Sequence, residues 1–99
     1  MTHELTIIAT LHAQDGRADA LAARLHAMVR DTLEEAGCIA YDLHRAEDDP
    51  REFVLVEYWR DAAAIALHDA SAHMAAFKAD LPALLDRPVV VKKLTPLVG

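Results

Sequence analysis

A chain of 99 residues makes one small domain, with room for only a modest core. Hydrophobic residues make up 54% of it, more than such a domain needs for itself, so some apolar surface is expected to be buried against a second copy of the chain. The net charge of −6, with no Lys/Arg cluster, argues against nucleic acid and against an anionic membrane surface as partners.

In chain order, residues 4–13 (ELTIIATLHA) are rich in β-branched and apolar types and read as a first strand. Asp15 and Gly16 punctuate, with Asp15 as the expected helix cap. From Ala18 the positions Leu21, Ala22, Leu25, Met28, Val29, Thr32, Leu33 and Ala36 form an i, i+3, i+4, i+7 stripe. Arg24, Arg30, Asp31, Glu34 and Glu35 lie off the stripe and are expected to face water. Gly37 stands where a glycine ends a helix.

Residues 38–46 read as a second strand, with Ile39, Tyr41 and Leu43 on one face and Ala40, Asp42 and His44 on the other. Glu47-Asp48-Asp49-Pro50 is a hairpin connection to a third strand at 52–59. Asp61 caps a helix over 62–69, and a helical stretch over 71–80 follows after a break. Pro82 and Pro88 bracket an irregular or one-turn stretch, and a last strand runs over 89–95.

The order β-α-β-β-α-β is the ferredoxin-like split βαβ unit, an α+β fold with an antiparallel sheet and both helices on one face, in a single domain over 1–99. Strands one and three are near-continuous apolar runs (LTIIATL, FVLV), which implies burial on both faces. A homodimer with sheets packed face to face is expected; a stable monomer in ultracentrifugation at micromolar concentration sinks that expectation.

Cys38 is the only cysteine, so neither an intramolecular disulfide nor a Cys-based zinc site is expected. A buried, inert thiol is the reading. The N-terminus lacks a signal-peptide pattern, and no apolar run approaches the roughly 18 residues a membrane span needs. A soluble, cytoplasmic protein is expected. With three glycines there is no phosphate-cradling loop, and no Ser-centred or Cys–His nucleophile arrangement is present.

The stretch Trp59–Phe77, WRDAAAIALHDASAHMAAF, concentrates the remaining chemistry. On one continuous helix His68 and His73 stand about 140° apart, whereas zinc-binding pairs share a face at i, i+4. No metal is therefore expected. Asp69-Ala70-Ser71 supplies caps for a helix break. His68 then ends one helix, where the dipole favours imidazolium, and His73 opens the next, where it favours the neutral base. Opposed environments suit an acid/base pair; equal titration of the two by NMR, near pH 6.5, sinks this. Trp59 at the sheet rim, and Met74 and Phe77 on an apolar helix side, read first as core. Tyr41 needs a hydroxyl partner, either a pocket group or a carbonyl. Glu57 is expected to form a structural ion pair with Arg45 or His44. His3, His12 and His26 read as surface residues.

The set Gly37-Cys38-x-x-Tyr41-x-Leu43-His44-Arg45, Asp49-Pro50, Phe53-Val54-Leu55-x-Glu57-x-Trp59-x-Asp61, then His68 and His73-x-x-x-Phe77 resembles the antibiotic biosynthesis monooxygenase (ABM) domain, and within it the small bacterial quinol monooxygenases. The likeness spans nearly the whole chain and is densest over 37–77. It implies a dimeric α+β barrel with a pocket between sheet and helices. It further implies oxidation of a quinol or similar electron-rich aromatic by O2 with no metal or flavin cofactor. His68 and His73 match the family's histidine positions and are the base candidates; Tyr41, Trp59 and Phe77 match positions that shape the pocket. Haem-degrading members carry a His where this chain has Lys78 and a Trp where it has His68, so haem ligation is not implied. Other members isomerise a small phosphorylated dione, which calls for cations at the pocket, and Lys78, Arg87, Lys92 and Lys93 are scattered in the sequence. Isomerisation of a small hydroxy-ketone and non-catalytic ligand binding are the alternatives. Histidines pointing to solvent would favour the latter.

Overall fold

The computed structural model describes residues 5–99; Glu4, the expected start of the first strand, and His3 lie outside the described residues. Strand β1 (Leu5–His12) leads through helix α1 (Ala18–Leu33) to the hairpin of β2 (Cys38–Arg45) and β3 (Glu52–Trp59). Helices α2 (Ala62–Asp69) and α3 (Ala72–Asp80) follow, then one 3-10 turn at Leu81–Ala83 and strand β4 (Val90–Leu94). The sheet runs β2-β3-β1-β4, antiparallel throughout, which is the ferredoxin-like arrangement.

The alternation of the strands decides where the core sits. Ile7, Ala9 and Leu11 of β1 and Phe53, Leu55, Glu57 and Trp59 of β3 point under the helices and are buried. They meet Leu21, Leu25 and Met28 of α1 and Phe77 of α3. The intervening Ile8, Val54, Val56 and Tyr58 lie on the other face and are only half-buried within one chain. The continuous apolar runs therefore do not mean two-sided burial inside a single chain.

Several local expectations are corrected. Arg17, not Asp15, stands at the N-cap of α1, with no side-chain cap; Asp15-Gly16 is spent on a turn in which Gly16 takes φ 79°. Helix α1 stops at Leu33, so Leu33 and Ala36 are exposed instead of extending the buried stripe. Gly37 is not a left-handed cap; its φ is negative. Its role is close approach, because a Cβ there would run into the Ala64 side chain of α2. A β-bulge between Cys38 and Ala40 takes Ile39 out of phase with Tyr41, leaving Ile39 exposed and Tyr41 buried.

His12 is not a surface residue. It is 5% exposed, with Nε2 at 2.8 Å from Asp49 and Nδ1 at 2.9 Å from Asp86. It ties the β2–β3 hairpin and the approach to β4 onto the end of β1. Hydrogen bonds from the Arg51 backbone and from His12 hold Asp49 below the usual carboxylate range. For Asp86, desolvation works the other way but is outweighed by Arg87 and His12. His26 is exposed, as expected.

Candidate active site

The break between α2 and α3 builds the site. Asp61 accepts a hydrogen bond from the Ala64 N–H and starts α2, which ends at Asp69. Ser71 then caps α3: its Oγ accepts from the Met74 N–H at 3.2 Å and donates to the His68 carbonyl at 2.7 Å. This corner brings His68, in the last turn of α2, and His73, in the first turn of α3, to a ring separation of 5.8 Å. An uninterrupted helix would have held them on different faces.

Both rings converge on one atom. His68 Nδ1 lies 2.7 Å and His73 Nε2 2.9 Å from Oε2 of Glu35. Sequence periodicity had sent Glu35 to water, but α1 ends two residues earlier. The residue sits in the turn before β2, and its side chain is only 18% exposed. Arg24 likewise turns inward from its helix, pairing with Asp80 and lying over the Phe77 ring.

His68 is 3% exposed and packs against Trp59, with centroids 4.7 Å apart and the rings tilted by 42°, beside Tyr41 at 5.8 Å. Its Nδ1 carries the hydrogen donated to Glu35, which leaves Nε2 as the free lone pair. Among the described residues Thr32 Oγ1 is the only fully buried side-chain polar atom without a partner. His68 Nε2, which has no protein partner among them either, is therefore not sealed in; it stays reachable in the cavity that His68 lines.

That cavity, about 320 Å³, lies between the sheet and α3. Ile7, Ala9 and Leu55 from the strands and Met74 and Phe77 from α3 make its apolar wall, while Tyr41, Glu57 and His68 form a polar group. An apolar cavity with a few convergent polar groups is the usual form of a small-molecule site. Of the residues expected at the site, Tyr41, Phe77 and His68 line it. Trp59 and His73 do not. Trp59 is fully buried behind His68, and its Nε1–H donates to Glu57 Oε1 at 2.9 Å. His73 reaches Glu35 through Nε2 without lining the cavity.

Glu57 was expected to pair with Arg45 or His44, and it pairs with neither. It shares the helix-side face with Tyr41, its partner in the β2–β3 register. His44 lies on the other face, and Arg45 lies over the Phe53 ring, 4.9 Å from its centroid. Burial pushes the Glu57 carboxyl up to about 7 against the pull of the Trp59 hydrogen bond, and the charges of Asp69 and Glu35 add to the rise. Burial, then the charge of Glu57, raises Tyr41 well above its ordinary value. Cys38 is half-buried where a buried thiol was expected, and desolvation, then the charge of Glu35, pushes it up to about 11. The lysines that are scattered in sequence partly gather: Lys78 and Lys93 both line the cavity, whereas Lys92 faces the opposite side of the sheet.

A helix-roofed antiparallel sheet, with an apolar cavity between sheet and helix and a histidine at its wall bonded to a carboxylate behind it, defines a small α+β domain of the ferredoxin-like kind. The chain belongs to the antibiotic biosynthesis monooxygenase family, whose model matches residues 5–80. It is 38% identical over 97 residues to "Putative monooxygenase Rv0793" of Mycobacterium tuberculosis, covering 98% of this chain and 95% of that protein. It is 34% identical over 64 residues to "Putative monooxygenase YcnE" of Bacillus subtilis, covering 65% and 67%. The crystal structure of PA3566 from Pseudomonas aeruginosa superposes with a TM-score of 0.92 at 40% identity, over 99% of this chain and 98% of that one. No helix among the described residues is long and apolar enough to cross a membrane.

Proposed function

We propose that the protein is a cofactor-independent monooxygenase that oxidises a quinol or similar electron-rich aromatic with O2. The observation that carries this reading is the 2.7 Å bond from His68 Nδ1 to Glu35, which leaves Nε2 as a base at the wall of an apolar cavity. The substrate phenol gives its proton to His68 Nε2, and Glu35 steadies the imidazolium that forms, as an acid partner does in a catalytic triad. The phenolate ring is then electron-rich enough to reduce O2 itself. A quinol and O2 balance as a hydroxyquinone and water, so the quinol supplies all the electrons and no outside reductant enters. The apolar wall excludes water from the reactive intermediate. Glu57, poised near neutrality, is a second proton acceptor in the same cavity.

In this reading the protein works in the cytoplasm as a homodimer joined through its open sheet faces. Oxygen uptake with menadiol-like quinols, corrected for autoxidation, tests the activity. His68→Ala is expected to lower the rate ~10²–10⁴-fold, the usual worth of a positioned base. A variant as fast as the parent would rule His68 out as the base.

A second reading, isomerisation of a small anionic hydroxy-ketone, is favoured by Lys78 and Lys93 on the cavity wall, which would seat a phosphate or carboxylate beside Glu57. Substrate turnover under strict anaerobiosis distinguishes it from the first.

A further inference from the structure

We propose that Glu35, His68 and His73 form a binding site for a divalent transition-metal ion of the zinc class, and that occupation of this site disables His68 as a base. Glu35 Oε2, His68 Nδ1 and His73 Nε2 all lie within 4.8 Å of one another. Zinc binds imidazole nitrogen and carboxylate oxygen at about 2.0–2.2 Å, which sets ligand atoms about 3.3 Å apart in a tetrahedron. The present N–O separations of 2.7 and 2.9 Å need to open by about half an ångström to admit the ion. The two outer ligands have that freedom. The His73 side chain is 24% exposed at the start of α3, and Glu35 sits in a turn. His68, buried and packed against the Trp59 ring, supplies the fixed corner.

Two imidazoles with one carboxylate suit zinc and its transition-metal neighbours, whereas calcium and magnesium take oxygen sets. The exposed side leaves a fourth position for water. Arg60, which lines the same surface depression as Glu35, is paired with Asp61 at 3.3 Å and does not neutralise the Glu35 carboxylate.

The ion would sit behind His68 as seen from the cavity, because Glu35 and His73 do not line it. It therefore meets no substrate. Its effect is on the tautomer. A neutral imidazole bound to metal through Nδ1 carries its hydrogen on Nε2, so the proton moves across the ring and no net proton is gained or lost. Nε2 then faces the cavity as a donor and accepts no phenolic proton. This inhibition rests on His68 being the base; binding of the ion does not.

Calorimetric titration of the tag-free full chain with zinc chloride tests the site, with cobalt(II) visible absorption as a report on coordination. One ion per chain is expected at micromolar affinity or tighter. His73→Ala and Glu35→Gln should each weaken binding by at least the ~10–100-fold that losing even an outer-shell partner costs. His26→Ala, at an exposed histidine of α1, should bind as the parent does. Zinc uptake that is absent in the parent, or equal in all the variants, overturns the site. Zinc should also slow quinol-dependent oxygen uptake by the parent and leave His73→Ala unaffected at the same concentration; equal inhibition of both overturns the switch. A chain with no oxygen uptake even without zinc defeats the proposed activity and leaves the titration to decide the site.

Discussion

Glu57 is the residue where stability and function pull apart. Its carboxyl titrates near 4.5 when the chain is unfolded and at about 7 when folded. The folded state thus holds the proton more tightly, and between those two values the native chain binds more protons than the unfolded one. Stability from this group is highest below 4.5 and falls as pH rises toward 7, by about 3 kcal/mol in all. Glu57→Gln keeps an oxygen to accept from Trp59 and removes the charge. It is expected to unfold at higher temperature than the parent at pH 8, with little difference near pH 4.5, while oxygen uptake falls. A melting temperature at pH 8 no higher than the parent's refutes the cost assigned to this carboxylate. The meeting of His68 and His73 was legible in the Asp-Ala-Ser interruption, whereas Tyr41 and Phe77 were pointed to by the family resemblance, their local patterns reading first as a strand face and as core. The places of Glu35 and Glu57 were not legible. Glu35 was read on a helical period that does not reach it, and Glu57 was given a cationic partner that the pleat puts on the opposite face or over Phe53. His12 escaped notice because its carboxylate partners come from distant loops.

At the scale of elements, one contact sets how α2 lies against the turn that carries Glu35. Gly37 accepts a hydrogen bond at its carbonyl from the Arg60 N–H at 2.9 Å, and its missing side chain leaves room for Ala64. Gly37→Ala is expected to cost ~1–3 kcal/mol by overpacking, because neither backbone can easily retreat. Ala64→Gly costs about 1 kcal/mol through helix propensity alone. Since it also vacates the space, the double variant should be more stable than the sum of the singles predicts, by ~0.5 kcal/mol or more. Urea unfolding of the four proteins measures this coupling, and strict additivity would refute the contact. Helix and strand limits here followed closely from sequence, since Asp61, Ser71, Pro82 and the 2-residue and 3.6-residue periods are local signals. The corrected features, such as the end of α1, the bulge at Cys38–Ala40 and the reason for Gly37, depend on what an element meets across space.

For the whole molecule the open face of the sheet is the unresolved burden. One face is roofed by α1, α2 and α3; the other presents Ile8, Val54, Val56 and Tyr58, half-buried, with Val90 and Leu94 of β4 at 53% and 41% exposed. These apolar side chains come from β1, β3 and β4, with Lys92 and Asp42 at the two ends of the row through Ile8 and Val56, and such a patch rimmed by polar residues is the form a protein–protein contact takes. Burying it against an identical sheet, about 10 Å away, would form a second core of the kind sheet sandwiches have. The symmetry of such a contact needs no second gene product, and the 54% hydrophobic content is then accounted for by two interiors instead of one. Val56 is the place to test this, since it lies between Ile8 and Asp42 in the sheet registers. In sedimentation at micromolar concentration the parent should run near twice its 10.9 kDa. Val56→Glu sets a charge beside Asp42 on the open face, where the single chain leaves water access, so its circular dichroism should stay native while its mass falls toward the monomer. A parent that sediments as a monomer removes the dimer altogether. A Val56→Glu protein that remains fully dimeric moves the contact to a different surface.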